Sequence, residues 1–222
     1  MCPKAADRTM KTLLACLTVA VVMSFATVRA GTDMKEVTPP AVGQQPEPKD
    51  WTLEVGSGVA FSNVRVGPPN KGYTLVPATL CASLKLDDVG LDNFLGGWLR
   101  GYSEFFFRGD YDFITHGPEN HYTGIFVGPR YNFVQPGWKI VPFWEGGVGV
   151  GWADCNPEQG GLGEHFNFSF EVAAGARYNI SDDVFMRLEI QYQHISNAGL
   201  SGTVPNNQID ALGPKLSVGF AF

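Results

Sequence analysis

The sequence predicts an all-β fold: an eight-stranded antiparallel transmembrane β-barrel of the bacterial outer membrane, preceded by a signal peptide. Three observations carry this. Lys4, Arg8 and Lys11 precede an apolar run over residues 13–26, and Val28-Arg29-Ala30 follows with small residues at the −3 and −1 positions of an export signal. Beyond it no stretch approaches the ~20 apolar residues of a spanning helix, although 44% of the residues are apolar, 13% are aromatic and glycine numbers 27. The apolar residues instead alternate with polar ones at the period of two that sends strand side chains to opposite faces.

Taken in order, residues 1–30 read as the signal peptide. Leu13-Leu14-Ala15-Cys16 looks like a lipoprotein box, but only Thr12 separates it from Lys11, so cleavage after Ala30 is expected instead. That cleavage removes four basic residues (Lys4, Arg8, Lys11, Arg29) and one acid (Asp7), taking the formal charge from −6 to −9. An acidic exported chain without a basic run is a poor nucleic-acid binder, and no such partner is expected. Cys2 and Cys16 leave with the signal. Cys81 then falls in a strand and Cys155 in a loop, and no bridge between them is expected. Residues 31–50, with Pro39, Pro40, Pro46 and Pro48, read as a polar Pro-rich segment without a core of its own.

Residues 51–222 read as the barrel. Strands are predicted at 51–66, 75–86, 97–108, 121–133, 139–153, 164–178, 184–197 and 208–222. Turns at 87–93, 134–138 and 179–183 alternate with mostly longer loops at 67–74, 109–120, 154–163 and 198–207. Short turns on the periplasmic side and longer external loops suit small outer-membrane barrels. Phe166, Phe168, Phe170 and Val172 share an outward face, as do Ile140, Trp144, Val148 and Trp152. The inward row collects Glu54, Lys85, Arg100, Glu104, Arg130, Glu145, Glu171, Arg177, Arg187, Glu189 and Lys215. Eight staves leave an interior that side chains can fill, so these charges are expected to pair into a plug. Gly147, Gly149 and Gly151 also point inward and leave room for bulky partners. Phe222, in register with Phe220 and Val218, gives the last strand a terminal aromatic.

The candidate chemistry lies in the last hairpin. Val184, Met186, Leu188, Ile190 and Tyr192 form an outward apolar row that His194 and Ser196 continue. Residues i and i+2 of a strand lie about 6.5–7 Å apart and point the same way, so His194 can serve Ser196 as general base. Asp210 begins the outward row of the neighbouring strand at the same end, where a carboxylate can orient the imidazole and stabilise its cation. Asn197, Asn206 and the amides around Ala198 and Gly199 can supply oxyanion donors. A His-x-Ser pair is common by itself, and Ser, Asn and Asp are ordinary turn formers. A polar trio interrupting two lipid-facing rows at one depth is less ordinary, because polar groups among acyl chains are costly.

The stretch Gln191-Tyr192-Gln193-His194-Ile195-Ser196-Asn197-Ala198-Gly199-Leu200, followed by Pro205-Asn206-Asn207-Gln208-Ile209-Asp210, resembles the signature of the PagL-like lipid A 3-O-deacylases. Residues 142–150 and the strand from Phe166 to Tyr178 are similar to that family as well. The resemblance implies an eight-stranded outer-membrane barrel with an outward-facing Ser–His–acid triad that hydrolyses the 3-linked ester of lipid A without a metal or other cofactor. It implies Ser196 as nucleophile, His194 as base, Asp210 as acid, and Asn197 and Asn206 as oxyanion or positioning residues. Two departures stand out. The family's acid is usually glutamate, one methylene longer than Asp210, and the segment from Ala198 to Pro205 is longer than the pattern.

The expected partners are therefore lipid A or lipopolysaccharide and the outer membrane, with self-association left open. A non-catalytic structural, adhesive or lipid-binding barrel is the competing reading. His116, His121 and His165 read as loop-surface residues without metal-ligand spacing, and Asp110, Asp112, Asp154 and Glu158 as acidic outer-loop residues.

Overall fold

The computed structural model describes residues 48–62, 72–200 and 207–222. The expected signal peptide, nearly all of the Pro-rich segment, and Asn206 lie outside the described residues. The strands are β1 (Trp51–Gly58), β2 (Ala60–Phe61), β3 (Thr74–Lys85), β4 (Gly101–His116), β5 (His121–Phe133), β6 (Ile140–Ala153), β7 (Phe166–Asn179), β8 (Val184–Ser196) and β9 (Gln208–Ala221).

β1 and β2 are one stave. Both pair with β3 and β9, and the register of Ser57↔Ala78 continues unchanged into Ala60↔Leu75. The break at Val59 has a local cause: this register sets Pro77 and Pro214 beside it, and neither has an N–H to donate. Val59 keeps one ladder bond, its own amide to the Pro214 carbonyl at 3.1 Å. Each stave is antiparallel to its sequence neighbour, and β1 also pairs with β9, so the described residues form a closed eight-stave barrel without an edge.

The burial pattern alternates along most of each stave. Outward rows such as Phe105-x-Phe107, Val172, Leu188-x-Ile190 and Leu216-x-Val218-x-Phe220 are exposed large apolar side chains, the lipid-facing band of an outer-membrane barrel. The lumen is filled. Arg130 bonds Glu145 at 2.6 Å, Glu104 at 3.0 Å and Glu54 at 3.1 Å. Arg187 reaches Glu54 at 3.0 Å, Lys215 reaches Glu189 at 2.6 Å, and Arg108 joins Asp110, Glu145 and Glu171. Towards the loop end an apolar cap of Tyr73, Leu75, Ile114, Tyr122, Phe126, Leu162, Ile195 and Ile209 continues the packing. The glycine row of β6 makes this possible. A Cβ on Gly147 would meet the Phe106 ring at 2.8 Å, one on Gly149 the Phe126 ring at 2.9 Å, and one on Gly151 the Tyr122 ring at 2.5 Å.

Several expectations are corrected. β4 runs to His116 and does not end at Arg108, because Asp110-Tyr111-Asp112-Phe113 alternates as a strand does. Asp110 and Asp112 are consequently buried in the lumen, bonded to Arg108 and Gln193, and are not outer-loop acids. Arg108, absent from the predicted inward row, sits at the centre of the plug. Arg100 and Lys85 leave it: they lie at the turn end, paired with Asp92 and Asp88 respectively. The predicted turn at 87–93 is longer, spanning residues 86–100 with a 3-10 turn at Phe94–Gly97. Cys81 and Cys155 are free thiols, the first buried in β3.

Candidate active site

β8 and β9 set the site through register. Their pairing puts His194 directly opposite Asp210 and Ser196 opposite Gln208. Directly opposed residues carry Cβ atoms about 4.5–5.5 Å apart, so a side chain as short as aspartate reaches the imidazole. A one-residue slip of either strand would turn its own member of the pair into the lumen. Their inward neighbours Ile195 and Ile209, both fully buried, oppose such a slip.

The structure brings three of the predicted residues into one hydrogen-bonded chain. His194 Nδ1 lies 2.7 Å from Asp210 Oδ1, and His194 Nε2 lies 3.0 Å from Ser196 Oγ. An ionised carboxylate only accepts, so the Nδ1 position carries the proton and Nε2 is left to accept from the serine hydroxyl. Ser196 and Asp210 are buried although they stand on the outward rows, and His194 is partly exposed. Phe170 of β7 stacks on the imidazole with centroids 4.9 Å apart.

Two further side chains converge on the acid. Tyr192 donates its hydroxyl to Asp210 Oδ1 at 2.6 Å, and the Gln208 side-chain amide donates to Oδ2 at 2.7 Å. Both carboxylate oxygens are thus held from either side of the hairpin. Sequence reasoning placed Tyr192 in the outward row without giving it this task. The usable signal is the His194–Asp210 pairing itself, which puts Tyr192 and Gln208 one step to either side.

The turn after Ser196 sorts the predicted oxyanion donors. Asn197 is buried, and its side-chain oxygen accepts the Gly199 amide at 2.9 Å. That amide is therefore already taken, contrary to the expectation that it could serve an oxyanion. Ala198 and Gly199 both have left-handed backbones, with φ of 54° and 74°, a conformation glycine accepts freely and alanine seldom adopts. The neighbouring loops are tied to the hairpin: Asn207 donates to the Gly161 carbonyl at 2.8 Å, and the buried Glu119 accepts from the Leu162 amide at 2.5 Å and the Tyr73 hydroxyl at 2.8 Å. Asp154 accepts the amides of Asn120 and His121. Burial opposes its ionisation, but those bonds prevail and hold its carboxyl below the usual range. His121 stacks on Tyr111 and His165 bonds the Ala153 carbonyl. Among the described residues no group of three His, Cys, Asp or Glu could hold a metal ion.

A family model described as Lipid A 3-O-deacylase (PagL) matches residues 89–218, which take in β4 to β8 and most of β9. Among solved structures, the outer membrane enzyme PagL is similar at 20% identity, covering 74% of this chain and 97% of that one with a TM-score of 0.51. Neisserial surface protein A (NspA) is similar at 13% identity, covering 77% of this chain and 94% of that one with a TM-score of 0.50. At these identities the likeness is one of fold. No curated protein matches the chain.

Proposed function

The chain belongs to the lipid A 3-O-deacylase (PagL) family of outer-membrane barrels, and from that premise we propose that it is a serine esterase removing the 3-O-linked acyl chain of lipid A. The observation that supports this reading is the Ser196–His194–Asp210 hydrogen-bonded chain on the lipid-facing wall. A site opening sideways into the bilayer meets a lipid ester without extracting it from the leaflet.

In this mechanism Ser196 Oγ attacks the ester carbonyl while its proton passes to His194 Nε2. Asp210 stabilises the imidazolium through the Nδ1–H bond. The oxyanion forms beside the Asn197–Ala198 turn, whose two backbone amides directly follow Ser196 in sequence; one such donor contributes about 10²–10³ in rate. Collapse breaks the bond to the sugar 3-oxygen, which takes the proton from Nε2 and leaves as an alcohol. Water, deprotonated by His194, then attacks the acyl-enzyme, releasing a 3-hydroxy fatty acid and regenerating Ser196. Aspartate in place of the family's usual glutamate is compatible with this scheme because the acid stands directly across from the histidine.

Mass spectrometry of lipid A from cells expressing the protein tests the reading. The wild type should yield lipid A lighter by one hydroxyacyl chain, and Ser196→Ala should leave it intact while the barrel still folds. Unchanged lipid A in the presence of folded wild-type protein would favour the non-catalytic barrel. Full activity of the alanine variant would remove Ser196 from the mechanism.

A further inference from the structure

We infer that the connection over residues 86–100 is a membrane anchor, inserting Leu91, Phe94, Leu95 and Trp98 into the phospholipid headgroup–acyl boundary of the leaflet opposite the triad. The inference stands on the barrel alone and holds whether or not Ser196 is a nucleophile.

Its acidic side chains are each paired at the rim: Asp87 accepts the Ser103 amide at 2.5 Å, and the exposed Asp88 and Asp92 pair with Lys85 at 3.0 Å and Arg100 at 2.5 Å. The apolar ones are left out, Leu95 at 67% and Trp98 at 80% exposure, with Leu91 and Phe94 also exposed. Water would make that arrangement unfavourable, and the backbone adds to the cost. Leu91 and Leu95 adopt left-handed φ of 62° and 49°, which branched L-residues seldom do. The other turns at this end, residues 134–139 and 180–183, are short, as such barrels require.

The direction of the fold identifies the occupant. The Tyr131 hydroxyl, on the outward row of β5, donates to the Leu99 carbonyl at 2.6 Å, and the Gln135 side chain donates to the Gly97 carbonyl at 2.8 Å. Val89 packs beneath the lumen on Tyr102, Val134 and Val141, whereas the stretch from Gly97 to Leu99 leans over the lipid-facing wall. It extends a rim where Phe133, Trp138 and Tyr178 already form the aromatic girdle typical of the interface. Trp, Phe and Leu on a short amphipathic segment beside that girdle match a lipid interface.

The test uses the full barrel in phosphatidylcholine vesicles. The chain has five tryptophans, so Trp98 emission is read as the difference between wild type and Trp98→Phe. In vesicles of lipid brominated near the top of its acyl chains the difference emission should lose most of its intensity, while aqueous iodide should leave it largely unchanged. Quenching by iodide and not by bromine would place Trp98 in water and overturn the inference, as would quenching by neither, which would indicate a protein cover. A Phe94→Asp, Leu95→Asp double variant supplies a second reading. It should keep the heat-shifted gel mobility of a closed barrel while Trp98 becomes open to iodide; retained protection from iodide would also overturn the inference.

Discussion

Asp210 shows how much a single side chain depends on strand register. Counting by twos from Val184 and back from Phe222 puts His194, Ser196 and Asp210 on outward rows, so the trio was legible before any coordinates. Their hydrogen bonds follow from the pairing of His194 with Asp210, and this pairing depends on a hairpin connection whose geometry sequence counting does not supply. For the same reason Tyr192 and Gln208 were not recognisable as donors to the acid. Tyr192→Phe keeps the ring and removes only the hydroxyl bonded to Asp210 Oδ1. A hydrogen bond to a charged group contributes about 1.5 kcal/mol or more, roughly tenfold in rate. Turnover on lipid A vesicles should therefore fall about tenfold with the half-saturating lipid concentration unmoved. A change confined to that concentration would assign Tyr192 to acyl binding. The bond from the Gly199 amide to the Asn197 side chain belongs to the local turn, and strand alternation carries no signal for it.

Among the elements, β4 and β6 teach opposite lessons. The end of β4 was set too early because aspartates suggest turns, whereas the pattern Asp110-Tyr111-Asp112-Phe113 carries the strand period and a buried guanidinium can accept the acids. The glycines of β6 were read correctly as space, since small inward residues on a narrow barrel must face large ones. Gly149→Val tests that reading. Its branched side chain would collide with the Phe126 ring and the Ile125 carbonyl, and neither the rigid ring nor the ladder backbone can yield. The variant should fail to acquire the heat-modifiable mobility of a closed barrel on gels, while Gly146→Ala, whose Cβ would lie 3.8 Å from its nearest neighbour, should acquire it normally.

At the scale of the molecule, alternation, turn spacing and the inward charges made the eight-stave closure and the charged plug readable. The membership of the plug was less so: which charges meet depends on stagger between staves distant in sequence, such as Glu54 and Arg187. Arg130 is the test case because it serves Glu54, Glu104 and Glu145 together. Arg130→Met leaves these carboxylates short of a partner in a dry interior, a loss of about 3–5 kcal/mol. Urea unfolding of the refolded barrel should show a correspondingly lower midpoint; an unchanged midpoint would mean that the network fixes geometry without adding stability.

Among the described residues, arginines stacked on aromatic rings fill the lumen. In a planar bilayer under voltage the inserted protein should give a flat current trace, without the stepwise openings of a porin. A cell carrying many copies thus keeps the permeability barrier of its envelope intact, and nutrients and antibiotics must find another door.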